Sequence, residues 1–254
     1  MTILCYHEVD AHWQAPMAVE PAAFTAHCEW LAAHRTVLPL DEAVRRLDRS
    51  GRLPRGCVAL TFDDGFAGLY EHAFPTLRRL RLPATVFLVA ATLTPEGRAV
   101  DWVDFPPPFP LVTLTAEQVA EMQEAGVAFG SHSLTHANLT DLTHENCRDD
   151  LSTSRELLEQ LLGVPVPFLA YPRGRHDESV RTAAREAGYR HAFSLPETHE
   201  AVGPFAIPRV GVYRGNSVTD LRIKCMRAYL PVRALVSRRL VGRAPRSRAG
   251  GQVA

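Results

Sequence analysis

The sequence alternates short apolar runs with longer segments of helical periodicity, and this alternation constrains the fold more than any other feature. Seven runs have the length and composition of buried strands: 2–7, 57–62, 84–90, 127–132, 167–172, 191–195 and 205–210. The helical segments between them begin at capping residues such as Thr115 and Asp177 and end at glycines. Repeated β-then-α units form a parallel sheet with helices outside. About seven such units allow the sheet to close into a TIM-like barrel.

Composition narrows the class of partner and the compartment. The chain of 254 residues carries 28 basic and 28 acidic side chains, so its net charge gives no reason to expect nucleic acid as a partner. Five scattered cysteines without a CxxC spacing predict neither a disulfide framework nor a thiolate zinc site. The start, MTILCYHEVD, lacks the features of a signal peptide, and no apolar run reaches membrane-spanning length. We therefore expect a cytoplasmic protein.

The C-terminal region has a different charge pattern from the rest of the chain. No acidic residue follows Asp220, whereas nine basic residues do, mixed with apolar ones between 222 and 248. We therefore predict a domain over 1–220 and a basic, amphipathic and flexible tail over 221–254. Such a tail either contacts an anionic membrane surface, here the inner membrane face, or is a solvated helix that frays.

Residues 60–66, LTFDDGF, end an apolar strand on two adjacent carboxylates. Asp-Asp-Gly alone is more typical of a surface turn. In parallel α/β folds, however, ligand sites gather at the carboxyl ends of strands, and His132 and His136 follow another strand in GSHSLTHANL. Together with Asp64 they form a 2-His-1-carboxylate set suited to zinc or a similar divalent ion. Asp63, beside that set, is placed to act as a general base.

Two further strand ends carry polar residues. In AYPRGRHDE (170–178), a tight turn at Pro172 and Gly174 offers backbone N–H groups to an oxyanion, and Arg173, Arg175 and His176 are candidate substrate contacts. His7 ends the first strand. Barrel closure would bring it to the same rim as a general acid, although a lone histidine at a strand end is also commonly structural.

These residues together resemble the polysaccharide deacetylase family with NodB homology, a carbohydrate esterase type. TFDDG (61–65), HSLTH (132–136) and AYPRG (170–174) are similar to its three motifs, and the similarity extends over about 2–212. The resemblance implies a distorted (β/α)7 barrel and metal-dependent removal of N-acetyl groups from amino sugars. Carried over by position, Asp63 is the general base, and the ligands of Zn²⁺, or of Co²⁺, Ni²⁺ or Mn²⁺, are Asp64, His132 and His136. In members that begin with a Tyr-His strand that histidine is the general acid, here His7.

The third motif departs from the family pattern R-P-P-Y-G. Ala170 stands at the arginine position and Arg173 at the tyrosine position. Arg209, in IPRVGV, either replaces the missing arginine or is a surface strand charge. The candidate substrate and oxyanion contacts are therefore Tyr171, Pro172, Arg173, Gly174 and Arg209.

Three functions compete at this point. The first is a deacetylase acting on an N-acetylamino sugar, for which the absence of a signal peptide favours a lipid-linked or nucleotide-linked precursor over a cell-wall polymer. The second is another metal enzyme, either a hydrolase of a cyclic amide or an iron oxygenase, and the adjacent Asp63 argues against the oxygenase. The third is a carbohydrate-binding relative without catalysis, against which the intact set of candidate residues argues. The sequence leaves the oligomeric state open.

Overall fold

The computed structural model describes residues 2–51, 56–196, 202–226 and 228–233. In these ranges the strands are β1 (Thr2–Tyr6), β2 (Glu8–Val9), β3 (Ala18–Val19), β4 (Thr36–Val37), β5 (Cys57–Phe62), β6 (Ala84–Leu88), β7 (Ala128–Ser131), β8 (Phe168–Ala170), β9 (His191–Ser194), β10 (Ile207–Pro208) and β11 (Val210–Gly211). The helices are α1 (Pro21–His34), α2 (Leu40–Ser50), α3 (Phe74–Leu80), α4 (Ala116–Glu124), α5 (His144–Leu162), α6 (Glu178–Glu186) and α7 (Val218–Lys224).

Parallel strands form a barrel that its last strand closes. β1, β5, β6, β7, β8 and β9 pair side by side in that order. The last strand is interrupted at Arg209, so that β10 pairs with β9 while β11 pairs with β1. Because the two halves pair with opposite edges of the sheet, the barrel closes. The predicted (β/α)7 barrel is confirmed.

Side chains of the strands alternate between the barrel interior and the surrounding helices. An apolar cluster inside the barrel takes residues from successive strands, with Leu40 and Val44 of α2 packed against it; its strand residues are Ile3, Ala59, Phe87, Ala170, Phe193 and Ile207. Two positions further along their strands stand Cys5, Thr61 and Arg209. Because side chains alternate along each strand, the barrel interior changes from an apolar layer to a polar layer toward the carboxyl ends of the strands. His7 and Asp63 lie at those ends.

A larger apolar cluster fills the space between the strands and the outer helices. The strand residues that face outward, among them Leu4, Leu60, Val86 and Leu169, pack with buried residues of the helices such as Phe24, Leu31, Leu77, Leu151 and Ala183. Burial on both faces explains why the strands read as continuous apolar runs. Gly130 shows how tightly the inner face packs, because a Cβ there would lie 2.7 Å from the Phe87 ring.

The boundary predicted between residues 220 and 221 falls inside α7. Leu221 is fully buried and belongs to the main core. Lys224 is also buried, and its Nζ donates a 2.6 Å hydrogen bond to the carbonyl of Gly211 in β11. The first turns of the predicted tail thus pack against the barrel, whereas residues 234–254 lie outside the described part of the chain. Within the described ranges, no helix combines the length and the apolar character needed to cross a bilayer.

The membrane hypothesis is best tested by truncation after residue 233, because α7 is then kept. The truncation removes five arginines, each worth about 1 kcal/mol near an anionic surface. We expect the intact protein to sediment with anionic vesicles and the truncated protein to stay in solution, with neutral vesicles as the control. If the intact protein fails to sediment with anionic vesicles, the membrane hypothesis is contradicted and the tail is a solvated helix.

Glu8 is a buried carboxyl group in the short ladder of β2 and β3. Its Oε1 accepts a 2.6 Å hydrogen bond from the N–H of Val9. Burial raises the pKa of Glu8 to about 8, although hydrogen bonds from Val9 and Gly68 oppose the rise. The folded protein therefore keeps Glu8 protonated at pH values where the unfolded chain has released the proton.

This raised pKa predicts that Glu8→Gln stabilises the folded protein by an amount that depends on pH. As the pH rises from about 4.5 to about 8, the wild type loses about 1.4 kcal/mol of unfolding free energy per pH unit through this group. Glutamine does not titrate, so the variant's advantage should grow over that interval and level off above it. Urea denaturation at pH 5 and pH 8 measures the difference, with the exposed Glu71→Gln as control. An equal effect at both pH values would contradict the assignment.

Candidate active site

The Asp63–Asp64–Gly65 turn ends β5 at the rim of the barrel. Asp64 and Gly65 adopt left-handed backbone conformations, with φ of 69° and 68°. Left-handed backbone costs a non-glycine residue about 1–2 kcal/mol. A Cβ on Gly65 would lie 2.7 Å from Leu88, so a close approach also favours glycine there. Asp63 and Asp64 are each 2% exposed, and both line one cavity.

Arg209 contacts Asp63 through both ends of its guanidinium group. Nη1 donates to Oδ1 at 2.6 Å and Nη2 donates to Oδ2 at 2.7 Å, while the thiol of Cys5 lies 3.3 Å from Oδ2. Burial alone would raise the pKa of Asp63, but the charge and hydrogen bonds of the Arg209 guanidinium group outweigh it and hold that pKa below its usual range. Asp63 is therefore ionised at neutral pH. Arg209 is fully buried, so the alternative of a surface charge is wrong.

Asp64, His132 and His136 each bring one ligand atom to within 4.8 Å of the others. Oδ1 of Asp64 is 3.8 Å from Nε2 of His132 and 3.3 Å from Nε2 of His136. Nδ1 of His132 lies 2.8 Å from the carbonyl of Ala170. Donation to that carbonyl leaves the Nε2 lone pair free to bind a cation. Two imidazoles and one carboxylate suit zinc and similar divalent ions.

The pKa shifts of Asp64 and His136 are consistent with a cation site. Burial raises the pKa of Asp64, partly offset by His132 and His7. Burial and the neighbouring His132 lower the pKa of His136 to about 2. His136 is thus neutral, the form that binds metal, and a cation would supply the positive charge that Asp64 lacks. The residues present therefore fit a divalent metal.

A tight turn, rather than a helix, brings the two histidines together. Ser133 and His136 have φ of 68° and 59°. The hydroxyl of Ser133 accepts a 2.9 Å hydrogen bond from the N–H of His136, and Asp150 of α5 accepts one from the N–H of Leu134. The ring centres of His132 and His136 are 4.9 Å apart. Asp150 supports the turn from a distant helix, and sequence reasoning missed it.

His7 reaches the same cavity from the end of β1. The cavity has a volume of about 240 Å³, and its lining includes His7, Asp63, Asp64, His132, His136, Trp102, Arg173 and Tyr213. Burial lowers the pKa of His7, although Asp63 and Asp64 oppose the change. Cys5, His7 and Asp63 form a second group of possible ligand atoms. Because Arg209 already neutralises Asp63, a second cation is disfavoured there.

The candidate substrate contacts do not all reach the cavity. Arg173 and Gly174 line it, as does the exposed Arg175. Tyr171 and Pro172 are buried, and the hydroxyl of Tyr171 donates to the carbonyl of Phe205 at 3.0 Å. The N–H of Gly174 donates to the carbonyl of Tyr171 at 2.8 Å. Of the N–H groups in this turn that we expected to serve an oxyanion, that of Gly174 therefore already has a partner inside the turn.

Trp102 belongs to the site although sequence reasoning missed it. Its indole Nε1 donates to Oδ1 of Asp64 at 3.0 Å. The ring also stacks on His136, with centres 5.1 Å apart and planes inclined by 23°. Trp102 lies in a proline-rich stretch between β6 and α4, and no motif or spacing in the sequence singles it out.

The polysaccharide deacetylase family model matches residues 50–192 of the 254 in the chain. The match includes TFDDG, HSLTH and AYPRG and covers more than half of the chain. This chain belongs to the polysaccharide deacetylase family. The family resemblance of its motifs is confirmed, and with it the deacetylase class of enzyme.

Individual relatives extend the similarity beyond the matched segment. YxkH of Bacillus subtilis is 27% identical over 221 residues, covering 85% of this chain and 73% of YxkH. A poly-β-1,6-N-acetyl-D-glucosamine N-deacetylase of Staphylococcus epidermidis is also 27% identical over 221 residues, covering 82% and 71%. The structure of the Streptococcus pyogenes deacetylase PplD superposes with a TM-score of 0.76 at 23% identity, over 89% of this chain and 98% of PplD. That likeness supports the barrel fold.

The buried Arg209–Asp63 pair predicts a large stability effect from removing one partner. Arg209→Met leaves a buried carboxylate without its counter-charge, which costs ~3–5 kcal/mol in comparable cases. The double variant Arg209→Met with Asp63→Asn should recover much of that loss, because no lone charge is then buried. Urea denaturation of the wild type, both single variants and the double variant measures the coupling. If the losses of unfolding free energy in the two single variants simply add in the double variant, the predicted coupling between Arg209 and Asp63 is contradicted.

Proposed function

We propose that this protein is a metal-dependent N-deacetylase acting on an N-acetylamino sugar in a glycan. One observation carries the proposal. An ionised carboxylate, Asp63, is held by Arg209 in the same cavity as the three candidate metal ligands. Amide hydrolysis requires a base for water beside a group that polarises the carbonyl, and this arrangement supports both.

The metal would be held by Asp64, His132 and His136. When bound, a divalent cation supplies Lewis acidity, which polarises the acetyl carbonyl and acidifies water enough for a weakly basic carboxylate to deprotonate it. The bond between His132 and the Ala170 carbonyl orients one ligand, and Trp102 donates to another, Asp64. We propose Zn²⁺, with Co²⁺, Ni²⁺ and Mn²⁺ as alternatives.

Asp63 takes the proton from the attacking water. The paired hydrogen bonds from Arg209 fix the plane of its carboxylate and keep it ionised. This lowers its intrinsic basicity but holds the acceptor oxygen in place, and general base catalysis depends on that placement before it depends on pKa. Arg209 thereby takes the role of the arginine that the third motif lacks.

His7 delivers to the departing amine the proton that Asp63 takes from water, because burial lowers the pKa of His7 and leaves its imidazole neutral beforehand. Its ring nitrogen lies within 4.8 Å of the Asp63 carboxylate and the Cys5 sulfur. The imidazole is 9% exposed and lines the cavity, so it reaches the substrate side without being freely solvated. An amide nitrogen leaves only when protonated, and transfer from a neighbouring histidine meets that need.

The substrate class is proposed from the relatives and from the size of the cavity. The Staphylococcus epidermidis relative is named for poly-β-1,6-N-acetyl-D-glucosamine. A cavity of about 240 Å³ is below the ~300–1,000 Å³ of most pockets for drug-sized ligands. It suits one acetamido sugar residue at the reacting centre, with the rest of a glycan outside. A lipid-linked or nucleotide-linked precursor is the alternative substrate, and the basic tail would suit work at the inner membrane face.

Acetate release joined to metal content tests the proposed function. Purified protein is incubated with β-1,6-linked N-acetylglucosamine oligomers, UDP-N-acetylglucosamine and a lipid-linked acetylamino sugar. We expect acetate from at least one of them, abolished by a chelator and restored by zinc or cobalt. Acetate release that persists after complete metal removal would refute the metal-dependent mechanism.

Asp63→Asn separates the base from the ligands. The variant should retain metal, because Asp63 is not one of the three proposed ligands, and lose ~10²–10⁴-fold in kcat. Asp149→Asn, an exposed aspartate with its side chain 60% accessible, is the matched control. Unchanged turnover in Asp63→Asn would remove Asp63 as the base.

His132→Ala tests the ligand assignment directly. Loss of one of three protein ligands should sharply reduce zinc bound after dialysis and remove activity with it. His144→Ala, which deletes an exposed histidine paired with Glu186, should retain both. Metal content equal to the wild type in His132→Ala would contradict the proposed site.

A further inference from the structure

A covering loop, defined here as residues 99–113, contributes Trp102 and Asp104 to the cavity lining and is fixed at both ends. Just before it, the N–H of Arg98 donates to the carbonyl of Ala91 at 2.9 Å. At its far end, the carbonyl of Val112 accepts from the N–H of Ala67 at 3.0 Å. Between these points the indole of Trp13 donates to the carbonyl of Phe105 at 2.7 Å. The covering loop therefore has a defined path above the barrel rim.

Arg173 holds the covering loop from the opposite side of the cavity. Its Nη1 donates to the carboxylate of Asp104 at 3.0 and 3.2 Å, and its Nη2 donates to the carbonyl of Trp102 at 2.9 Å. Both terminal nitrogens thus bind the loop. Arg173, which the sequence suggested as a substrate contact, therefore uses its terminal donors for hydrogen bonds within the protein.

Arg173 makes these contacts at, and two residues after, a residue that touches two proposed metal ligands. Trp102 is 9% exposed, donates to Asp64 and stacks on His136. Its backbone is held by Arg173, while its side chain covers the ligands. Movement of the loop backbone at Trp102 would therefore release the indole from both ligands at once.

The turn that carries Arg173 is held in an unfavourable backbone conformation. Arg173 has φ of 57°, in the left-handed region that favours glycine. Gly174 follows with φ of 67°, and a Cβ there would lie 2.6 Å from the backbone N of Leu195. Strained non-glycine residues persist where the surrounding contacts determine them, and they cluster at functional sites.

We propose that Arg173 is a positioning residue that holds Trp102 against Asp64 and His136. It acts through the covering loop and does not touch the reacting atoms. The proposal rests on the proposed function in one respect, that Asp64 and His136 bind a divalent cation. Partners that orient metal ligands typically change metal affinity 10–100-fold when they are lost.

The geometry of the guanidinium group carries more of this role than its charge. The Arg173 and Asp104 side chains are 37% and 64% exposed, and exposed ion pairs contribute little by themselves. The planar fork of arginine reaches the carboxylate and the carbonyl together, whereas the single ammonium of lysine does not. Arg173→Lys should therefore rescue only part of what Arg173→Ala loses.

Fluorine NMR reports on Trp102 without metal or substrate. The chain has three tryptophans, so labelling with 5-fluorotryptophan gives three resonances, and Trp102→Phe identifies one of them. In Arg173→Ala we expect the Trp102 resonance to shift and to gain a solvent isotope effect, with Trp30 on α1 as the internal reference. An unchanged Trp102 resonance in that variant would overturn the proposal.

Zinc affinity, measured by competition with a chelator, is the second measurement. We expect Arg173→Ala to bind zinc at least tenfold more weakly and Arg173→Lys to fall between it and the wild type. Arg79→Ala is the matched control, because the Arg79–Glu29 pair is also exposed, is also 3.0 Å long and joins α3 to α1 away from the cavity. Both its zinc affinity and its Trp102 resonance should equal those of the wild type.

Two further outcomes separate this inference from the proposed function. If Arg173→Ala raises KM for the sugar while zinc affinity and the Trp102 resonance stay unchanged, Arg173 is a substrate contact and the positioning role is refuted. If the wild type binds no zinc but Arg173→Ala still moves the Trp102 resonance, the metal-dependent function fails while the positioning of Trp102 is supported.

Discussion

The buried pair of Arg209 and Asp63 is the interaction on which the rest of the structure depends. Arg209 stands at the interruption between β10 and β11, where the last strand changes partners and closes the barrel. Its guanidinium group extends inward to the carboxylate at the end of β5. Two fully buried charges are tolerable only when they are paired with good geometry. The strand that closes the barrel thus also carries the arginine that keeps the proposed base ionised.

Backbone strain in this chain is concentrated around the cavity. Among the described residues, left-handed conformations outside glycine occur at Asp64, Arg81, Ser133, His136 and Arg173, and only Arg81 lies away from the site. Each such residue costs of order 1–3 kcal/mol. The regular barrel and its two apolar clusters supply the stability that offsets this cost. These conformations turn the chain after β5, β7 and β8 so that the side chains that follow these strands meet in one cavity.

Membership of the polysaccharide deacetylase family accounts for the residues nearest the proposed reaction. The structure adds how those residues are supported in this chain. In the proposed mechanism, Arg209 takes the place of the arginine missing from the third motif, because it reaches Asp63 from a different strand. Arg173, in place of the motif's tyrosine, binds the covering loop. The proposed base and metal ligands are therefore supported by contacts that the motifs alone do not specify.

The sequence by itself determined the strands, their parallel order and the rim residues Asp63, Asp64, His132 and His136, because strand periodicity and motif spacing are local properties. Only the tertiary structure decided which distant side chains support them. Arg209 meets Asp63 across 146 residues, and Arg173 meets Asp104 across 69. Trp102 and Asp150 likewise reach the site from a loop and a helix that no motif marks. The sequence offered Arg209 as one of two alternatives, and the other partners could not be predicted, because many polar residues are compatible with each position until barrel closure and the path of the loop bring one of them into contact.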